Sequence, residues 1–327
     1  MTTRILVTGG AGFIGSAYVR ALLGPEGPGD VAVTVLDALT YAGHRANLEP
    51  VRAHPAFRFV HGDVRDAALT GRLTAEHDEV VHFAAESHVD RSIRDGGLFA
   101  STNVLGTQVL LDAARLGGVR TFVHISTDEV YGSLADGAWP ETHPLDPTSP
   151  YAASKAAAEL MALAQHRTHG LDVRITRCSN TYGPYQFPEK LIPSFVIRLL
   201  EGGTLPLYGD GLHVRDWLHV DDHVRAVELV RTGGEPGEVY NIGGGTELTN
   251  LALTRLILAA CGAGEDRIRH VEDRKGHDRR YAVDWTKIRD RLGYAPRADF
   301  PTALAATVAW YREHPSWWQP LRSRAGG

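Results

Sequence analysis

Residues 4–8, Arg4-Ile5-Leu6-Val7-Thr8, form a short apolar run rich in branched side chains, the pattern of a parallel strand buried on both faces. Similar runs at 31–36, 58–60, 79–83, 121–125 and 172–177 predict five more strands. Between them, apolar residues recur at helical spacing over 16–23, from Arg65 onward, and over 98–116 and 151–169. Regular alternation of strand and helix predicts a doubly wound parallel sheet covered on both faces. Beyond Arg177 the rhythm breaks into shorter segments rich in Gly, Pro and polar residues, with helices expected at 191–200, 223–230, 251–260 and 303–312. The expected organisation is a first domain over 1–178 and a smaller α/β substrate-binding domain over 179–327, with a return of the chain to the sheet left open.

The first strand runs directly into Gly9-Gly10-Ala11-Gly12-Phe13-Ile14-Gly15. Glycines 9, 12 and 15 give a GxxGxxG spacing, one position from the dinucleotide fingerprint but with the same physics. They allow a sharp turn, close approach to a pyrophosphate, and helix N–H groups facing an anion. Set between a strand and a helix, this turn predicts a Rossmann-type dinucleotide site. Asp37 ends the second strand, placed to accept a hydrogen bond from a ribose 2′-OH and to repel a 2′-phosphate, which favours NAD over NADP. The Gly/Pro-rich stretch 24–30 accounts for its distance from the glycines. Asp63 either caps the following helix or lies near the adenine.

Chemistry gathers where the fifth strand ends, in Ser126-Thr127-Asp128-Glu129-Val130-Tyr131-Gly132, and in Tyr151-Ala152-Ala153-Ser154-Lys155. In a parallel sheet, ligands bind beyond the carboxyl ends of the strands, so the placement fits. Tyr151 and Lys155 stand at i, i+4 on one helix face, and a neighbouring ammonium favours a phenolate. Two carboxylates can divide acid and base roles if their surroundings separate their pKa values. Thr127, Tyr151 and Lys155 thus read as a redox set in which Tyr151 takes a hydroxyl proton, Lys155 holds a ribose and Thr127 bonds the same hydroxyl.

Composition narrows the field. The 327 residues, 43% apolar and 22% charged, can bury a large core. A net charge of −5 speaks against a nucleic-acid surface. Two cysteines, Cys178 and Cys261, make no disulfide framework and fit a reducing, cytoplasmic setting. The start of the chain lacks the apolar core of a signal peptide, and no apolar run is long enough to span a bilayer. The sixteen histidines are scattered without HExxH pairing, so no metal is expected. Only four of the 34 basic residues are lysine, which makes Lys155 and Lys190 more telling than an average surface cation. Basic residues in the turns of the second half suit an anionic ligand such as a nucleoside diphosphate.

The Thr, Tyr, Lys order behind GxxGxxG resembles the extended short-chain dehydrogenase/reductase superfamily. The string Ser126 to Gly132 is similar to that of the dTDP-glucose 4,6-dehydratases. So are Ala85-Glu86-Ser87-His88-Val89-Asp90-Arg91-Ser92, the run Tyr182 to Pro193, and Asp273-Arg274-Lys275-Gly276-His277-Asp278-Arg279-Arg280-Tyr281. The resemblance covers nearly the whole chain. It implies NAD-dependent oxidation of a glucosyl C4 with Tyr151 as base, C5 proton removal by Glu129, protonation of the departing C6 hydroxyl by Asp128, and hydride return to C6. It further implies cofactor contacts from Phe13, Ile14, Asp37, Asp63, Ala85, Thr102, Tyr151 and Lys155. Substrate contacts would come from Ser87, Thr127, Asn180, Lys190, Leu191, Pro206, Tyr208, Arg215, Asn250, Arg274 and His277, and a homodimer would form through the helices 98–116 and 151–169. One departure is Thr181, where relatives commonly carry a second asparagine; Lys275 receives no role. Competing readings are an epimerase or a UDP- or GDP-sugar dehydratase of the same superfamily, and a non-catalytic NAD-binding scaffold. Uracil and thymine differ by one methyl, worth only about 1–3 kcal/mol in a pocket.

Overall fold

In the computed structural model, residues 2–274 and 276–325 are described; Lys275 lies outside them. Strand β1 (Thr3–Thr8) leads into α1 (Phe13–Leu23), then β2 (Val31–Asp37), β3 (Phe57–His61), α2 (Ala67–Ala75) and β4 (Glu79–His82). Short helices α3 (Val89–Arg94) and α4 (Gly96–Phe99) precede α5 (Gly106–Gly117), β5 (Thr121–Thr127), α6 (Pro150–His169) and β6 (Val173–Cys178). The second half holds β7 (Asn180–Tyr182), α7 (Leu191–Leu200), β8 (Leu205–Tyr208), β9 (Val214–His219) and α8 (Val220–Gly233). After these come β10 (Val239–Ile242), β11 (Glu247–Thr249), α9 (Asn250–Cys261), β12 (Ile268–Val271), α10 (Thr286–Leu292), α11 (Phe300–Glu313) and α12 (Pro315–Ala325).

Among the described residues, seven strands form one sheet in the order β10-β6-β5-β4-β1-β2-β3, and every pairing in it is parallel. Order reverses between β1 and β4, and the crevice above that point is where an open α/β sheet takes its ligands. The chain beyond Cys178 returns to the sheet, because β10 pairs with β6 from Val239↔Ile175 to Ile242↔Cys178. Two smaller sheets have the orders β11-β9-β7 and β12-β8, and Asn180 and Thr181 of β7 line the crevice. One apolar core lies between the sheet and α1, α8 and α10; a second joins α7, α9, α11 and α12 around Tyr182, Trp217, Phe300 and Trp317. Among the described residues, no helix is long and apolar enough to cross a membrane.

Two elements differ from the sequence reading in ways that matter to the crevice. Helix α1 begins at Phe13, not Ser16, so Gly15 lies inside its first turn. The expected helix 98–116 is interrupted by a π-helical segment, Ala100–Leu105. Such a segment inserts an extra residue per turn. Here it turns Thr102 to the crevice and Asn103 inward, where Asn103 bonds the Glu86 N–H and carbonyl at 2.8 and 3.0 Å and the Ser154 hydroxyl at 2.8 Å.

Candidate active site

A cleft of about 330 Å³ opens over the carboxyl ends of β1, β4, β5 and β6. Its floor is the glycine turn. Gly9 sits at φ +70°, and a Cβ there would come within 2.5 Å of the Ala84 nitrogen; one at Gly15 would meet the Gly9 carbonyl at 2.4 Å. Both positions need glycine for the turn to close on β4. The first turn of α1 has no capping side chain, which leaves its N–H groups for an anion. Gly9, Gly12, Phe13, Ile14, Gly15, Asp37, Asp63, Ala85, Thr102, Tyr151 and Lys155 all line this cleft. The Asp37 carboxylate accepts N–H bonds from Ala11 at 2.9 Å and Leu39 at 2.8 Å, and burial raises its pKa. Asp63 is not the cap of α2, whose N-cap is Asp66, bonded to the Leu69 N–H. It instead receives the Arg65 guanidinium at the cleft rim, with the closest approach 2.6 Å.

Thr127 ends β5 and caps a 3₁₀ turn, Asp128–Tyr131. Its hydroxyl accepts the Glu129 N–H at 3.2 Å and donates to Asp128 Oδ1 at 3.2 Å. Behind the turn, Tyr131 packs on Trp139, and its hydroxyl accepts from Arg177 at 2.7 Å while donating to Asn241 at 2.9 Å. Arg177 is locked in turn by a fully buried ion pair to Glu159. This network clamps the turn that presents the two carboxylates.

Their environments differ. Asp128 is buried, and its Oδ2 has no partner in the protein. Burial, with Glu129 beside it, pushes this carboxyl well above its usual range. Burial also raises Glu129, but Lys190, Arg274 and Arg215 pull it back toward the ionised form. The two carboxyl groups therefore sit in different fields: burial and a like charge favour the proton on Asp128, while three cations oppose that effect at Glu129.

Tyr151 stands at the start of α6, capped by the Ser149 hydroxyl. Burial, then Glu129, holds its phenol well above the ordinary value. Lys155, brought down by burial to about 8, points its ammonium at the Ile125 carbonyl at 2.6 Å.

Of the expected substrate residues, Ser87, Thr127, Asn180 and Lys190 line the same cleft, and Lys190 donates to the Ser87 carbonyl at 2.8 Å. Leu191 opens α7 beside them. The others are not among the residues lining this cleft. Arg215, buried on β9, lies over the Tyr281 ring at 4.2 Å and donates to the Asp278 carbonyl. Arg274 is 3.9 Å from Asp90. His277 stacks on His213 at 3.7 Å between ring centres, and Tyr208 meets it edge-on. Asp273 bonds the His277 ring at 2.6 Å, while the Asn250 N–H donates to the His213 carbonyl. Pro206 sits on β8 with Tyr208, paired to Arg269 of β12. Asn250 Oδ1 and Arg274 Nε are buried without a protein partner. Thr181 lines the cleft, and its hydroxyl lies within bonding distance of the Ser179 carbonyl and of His223. Glu159, Arg177 and Asn241, which brace the turn, carry no signal in the sequence, because their partners lie on other elements.

A family described as GDP-mannose 4,6 dehydratase matches residues 6–307. A dTDP-glucose 4,6-dehydratase of Streptomyces griseus is 64% identical over 321 residues, covering 98% of this chain and 98% of the relative. The crystal structure of dTDP-glucose 4,6-dehydratase from Streptomyces venezuelae with NAD bound matches at a TM-score of 0.96 and 61% identity, covering 98% of this chain and 100% of that one. That of Bacillus anthracis, in complex with NAD, matches at 0.91 and 45% identity, with the same coverage.

Proposed function

This chain belongs to the dTDP-glucose 4,6-dehydratases of the extended short-chain dehydrogenase/reductase superfamily, and we propose that it converts dTDP-glucose to dTDP-4-keto-6-deoxyglucose for deoxysugar biosynthesis. The observation that carries this reading is the adjacent pair in one cleft: Asp128, buried with Oδ2 free of protein partners, next to Glu129, whose ionised form Lys190, Arg274 and Arg215 favour. Hydride transfer alone does not need such a pair; loss of water across C5 and C6 needs one acid and one base.

NAD fits the cleft: the closed glycine turn, the uncapped α1 terminus and the buried Asp37 match pyrophosphate and ribose. When bound, NAD supplies a place for the C4 hydride, which it gives back at C6. Phe13, Ile14, Ala85 and Thr102 would flank it, with Asp63 toward the adenine and Lys155 at the nicotinamide ribose. Tyr151 takes the C4 hydroxyl proton, assisted by Thr127. The cationic ring of the oxidised cofactor and Lys155 together oppose the field that raises the phenol in the protein alone. Glu129 removes the C5 proton and returns a proton to C5 when C6 receives the hydride. Asp128 delivers its proton to the C6 hydroxyl, which leaves as water. Lys190, Asn180 and Ser87 position the sugar, while Arg215 and Arg274 meet the diphosphate. Leu191, Pro206, Tyr208, Asn250 and His277 hold the nucleoside end. The reading includes a homodimer formed through α5 and α6, supported by the exposed Leu105, Leu116 and Leu160, and a cytoplasmic setting, supported by two free cysteines.

The test is incubation of the purified protein with dTDP-glucose. A product lighter by one water, carrying a C6 methyl group by NMR, is expected; a galactosyl product would show a 4-epimerase instead.

A further inference from the structure

Ala11, in the middle of the glycine turn, is wholly buried and held at both ends of its peptide unit. Its N–H donates to Asp37, and its carbonyl accepts from Asn47 Nδ2 at 2.9 Å and from the His44 N–H at 3.0 Å. Asn47 is 1% exposed, and its side-chain oxygen accepts a bond from Trp317 Nε1 at 2.9 Å, across 270 residues. The chemistry fixes the orientation of this amide. An indole nitrogen only donates and a backbone carbonyl only accepts, so a flipped Asn47 would oppose two donors at one end and two acceptors at the other. Arg20 of α1 adds a third tie, donating to the Asn47 carbonyl at 2.7 Å. Trp317 belongs to α12 and to the apolar core of the substrate side, not to the core around the sheet.

We propose that Trp317 is a positioning residue for the cofactor: through Asn47 it locks the glycine turn, so that the last helix governs how long the dinucleotide stays bound. The proposal rests on the NAD reading above. An enzyme that takes a hydride and gives it back to the same sugar gains from retaining its cofactor between turnovers, and this latch contributes to that retention without touching the cofactor.

The test compares the full-length protein with Trp317→Phe, which keeps an aromatic ring and removes the donor. Trp318→Phe is the control, since its indole N–H donates at 2.8 Å to the Tyr311 carbonyl and has no link to the turn. Bound dinucleotide is measured in acid extracts, and its release is timed after dilution into an enzyme that consumes free NAD. Leaving Asn47 Oδ1 buried without a donor should speed release about 5- to 100-fold. Activity lost on dilution should return with added NAD. Trp318→Phe should release at the wild-type rate, and Trp317→Phe combined with Asn47→Ala should release no faster than Asn47→Ala alone. Equal release rates from the two tryptophan variants, or additive effects in the double variant, would overturn the proposal. Wild-type protein that carries no dinucleotide and has no activity with added NAD would instead overturn the cofactor reading beneath it.

Discussion

Glu129→Gln and Asp128→Asn should stop the reaction at different atoms. Both changes keep the size and planarity of the side chain and remove one proton-transfer function. Asp128 is 2% exposed, with Thr127 on Oδ1 and nothing in the protein on Oδ2, which leaves that oxygen free to carry the acid proton. Asparagine reproduces that shape but donates no acid proton. A positioned acid or base contributes about 10²–10⁴-fold, so each variant should lose roughly 3–5 kcal/mol of transition-state stabilisation. The two losses are separable in deuterium oxide. With Asp128→Asn the base at Glu129 survives, facing Lys190, Arg274 and Arg215, and recovered dTDP-glucose should carry deuterium at C5. With Glu129→Gln no C5 exchange should occur, although the absorbance of reduced nicotinamide should still rise as C4 is oxidised. NMR of recovered substrate and product reads both results. Exchange in Glu129→Gln but not in Asp128→Asn would show the roles to be reversed, and turnover within a few-fold of wild type in either would refute its assignment.

The raised Asp128 pKa also makes a stability prediction. The folded protein keeps this proton from about pH 4 upward while the unfolded chain loses it, so stability falls as pH rises toward the folded pKa. Asp128→Asn should therefore melt above wild type at neutral pH, with a margin that widens as pH rises; a pH-independent difference would count against it. Asp37→Ala removes the acceptor for two backbone N–H groups and the expected ribose contact, and should weaken NAD about 10- to 100-fold while relieving the repulsion of NADP, as read by the two apparent KM values. Glu159→Leu leaves Arg177 buried beside Tyr131 without its counter-ion, and should cost about 3–5 kcal/mol in urea unfolding. Adding Arg177→Met should recover part of that loss, and strict additivity would argue that the pair is not coupled.

The strands of the main sheet could be read because a parallel strand buried on both faces writes its burial into consecutive residues; β1, β2 and β5 are such runs. The late start expected for α1 has a local cause: it begins straight after a glycine, with no polar cap to mark Phe13. The π segment at 100–105 leaves no periodic trace, since it is a change of register inside one apolar pattern. Helix α12 was missed because Pro320 lies within it and its aromatic residues face a core assembled from distant segments. Tyr151 and Lys155 are legible because their i, i+4 spacing is local, and Thr127 because it ends an apolar strand. Asn47 is silent in sequence, since its significance lies in a bond to Trp317.

The same distinction explains how adjacent carboxylates come to meet different surroundings. Two neighbours in an extended strand point to opposite faces; in a 3₁₀ turn successive side chains are set about a third of a turn apart. Beginning such a turn at Asp128 lets both side chains reach one cleft while meeting different surroundings. Asp128 meets the Thr127 hydroxyl and the buried interior, and Glu129 meets cations brought from β9, from the start of α7 and from the loop after β12. The turn itself has little reason to hold that shape alone. It is held because Tyr131, its last residue, is bonded by Arg177 of β6 and by Asn241 of β10. β10 is the strand that the chain contributes only after it has built β7, β8 and β9 of the second half. Its return to the sheet therefore reaches the site: through Asn241 it fixes the turn that presents both carboxylates to the cleft.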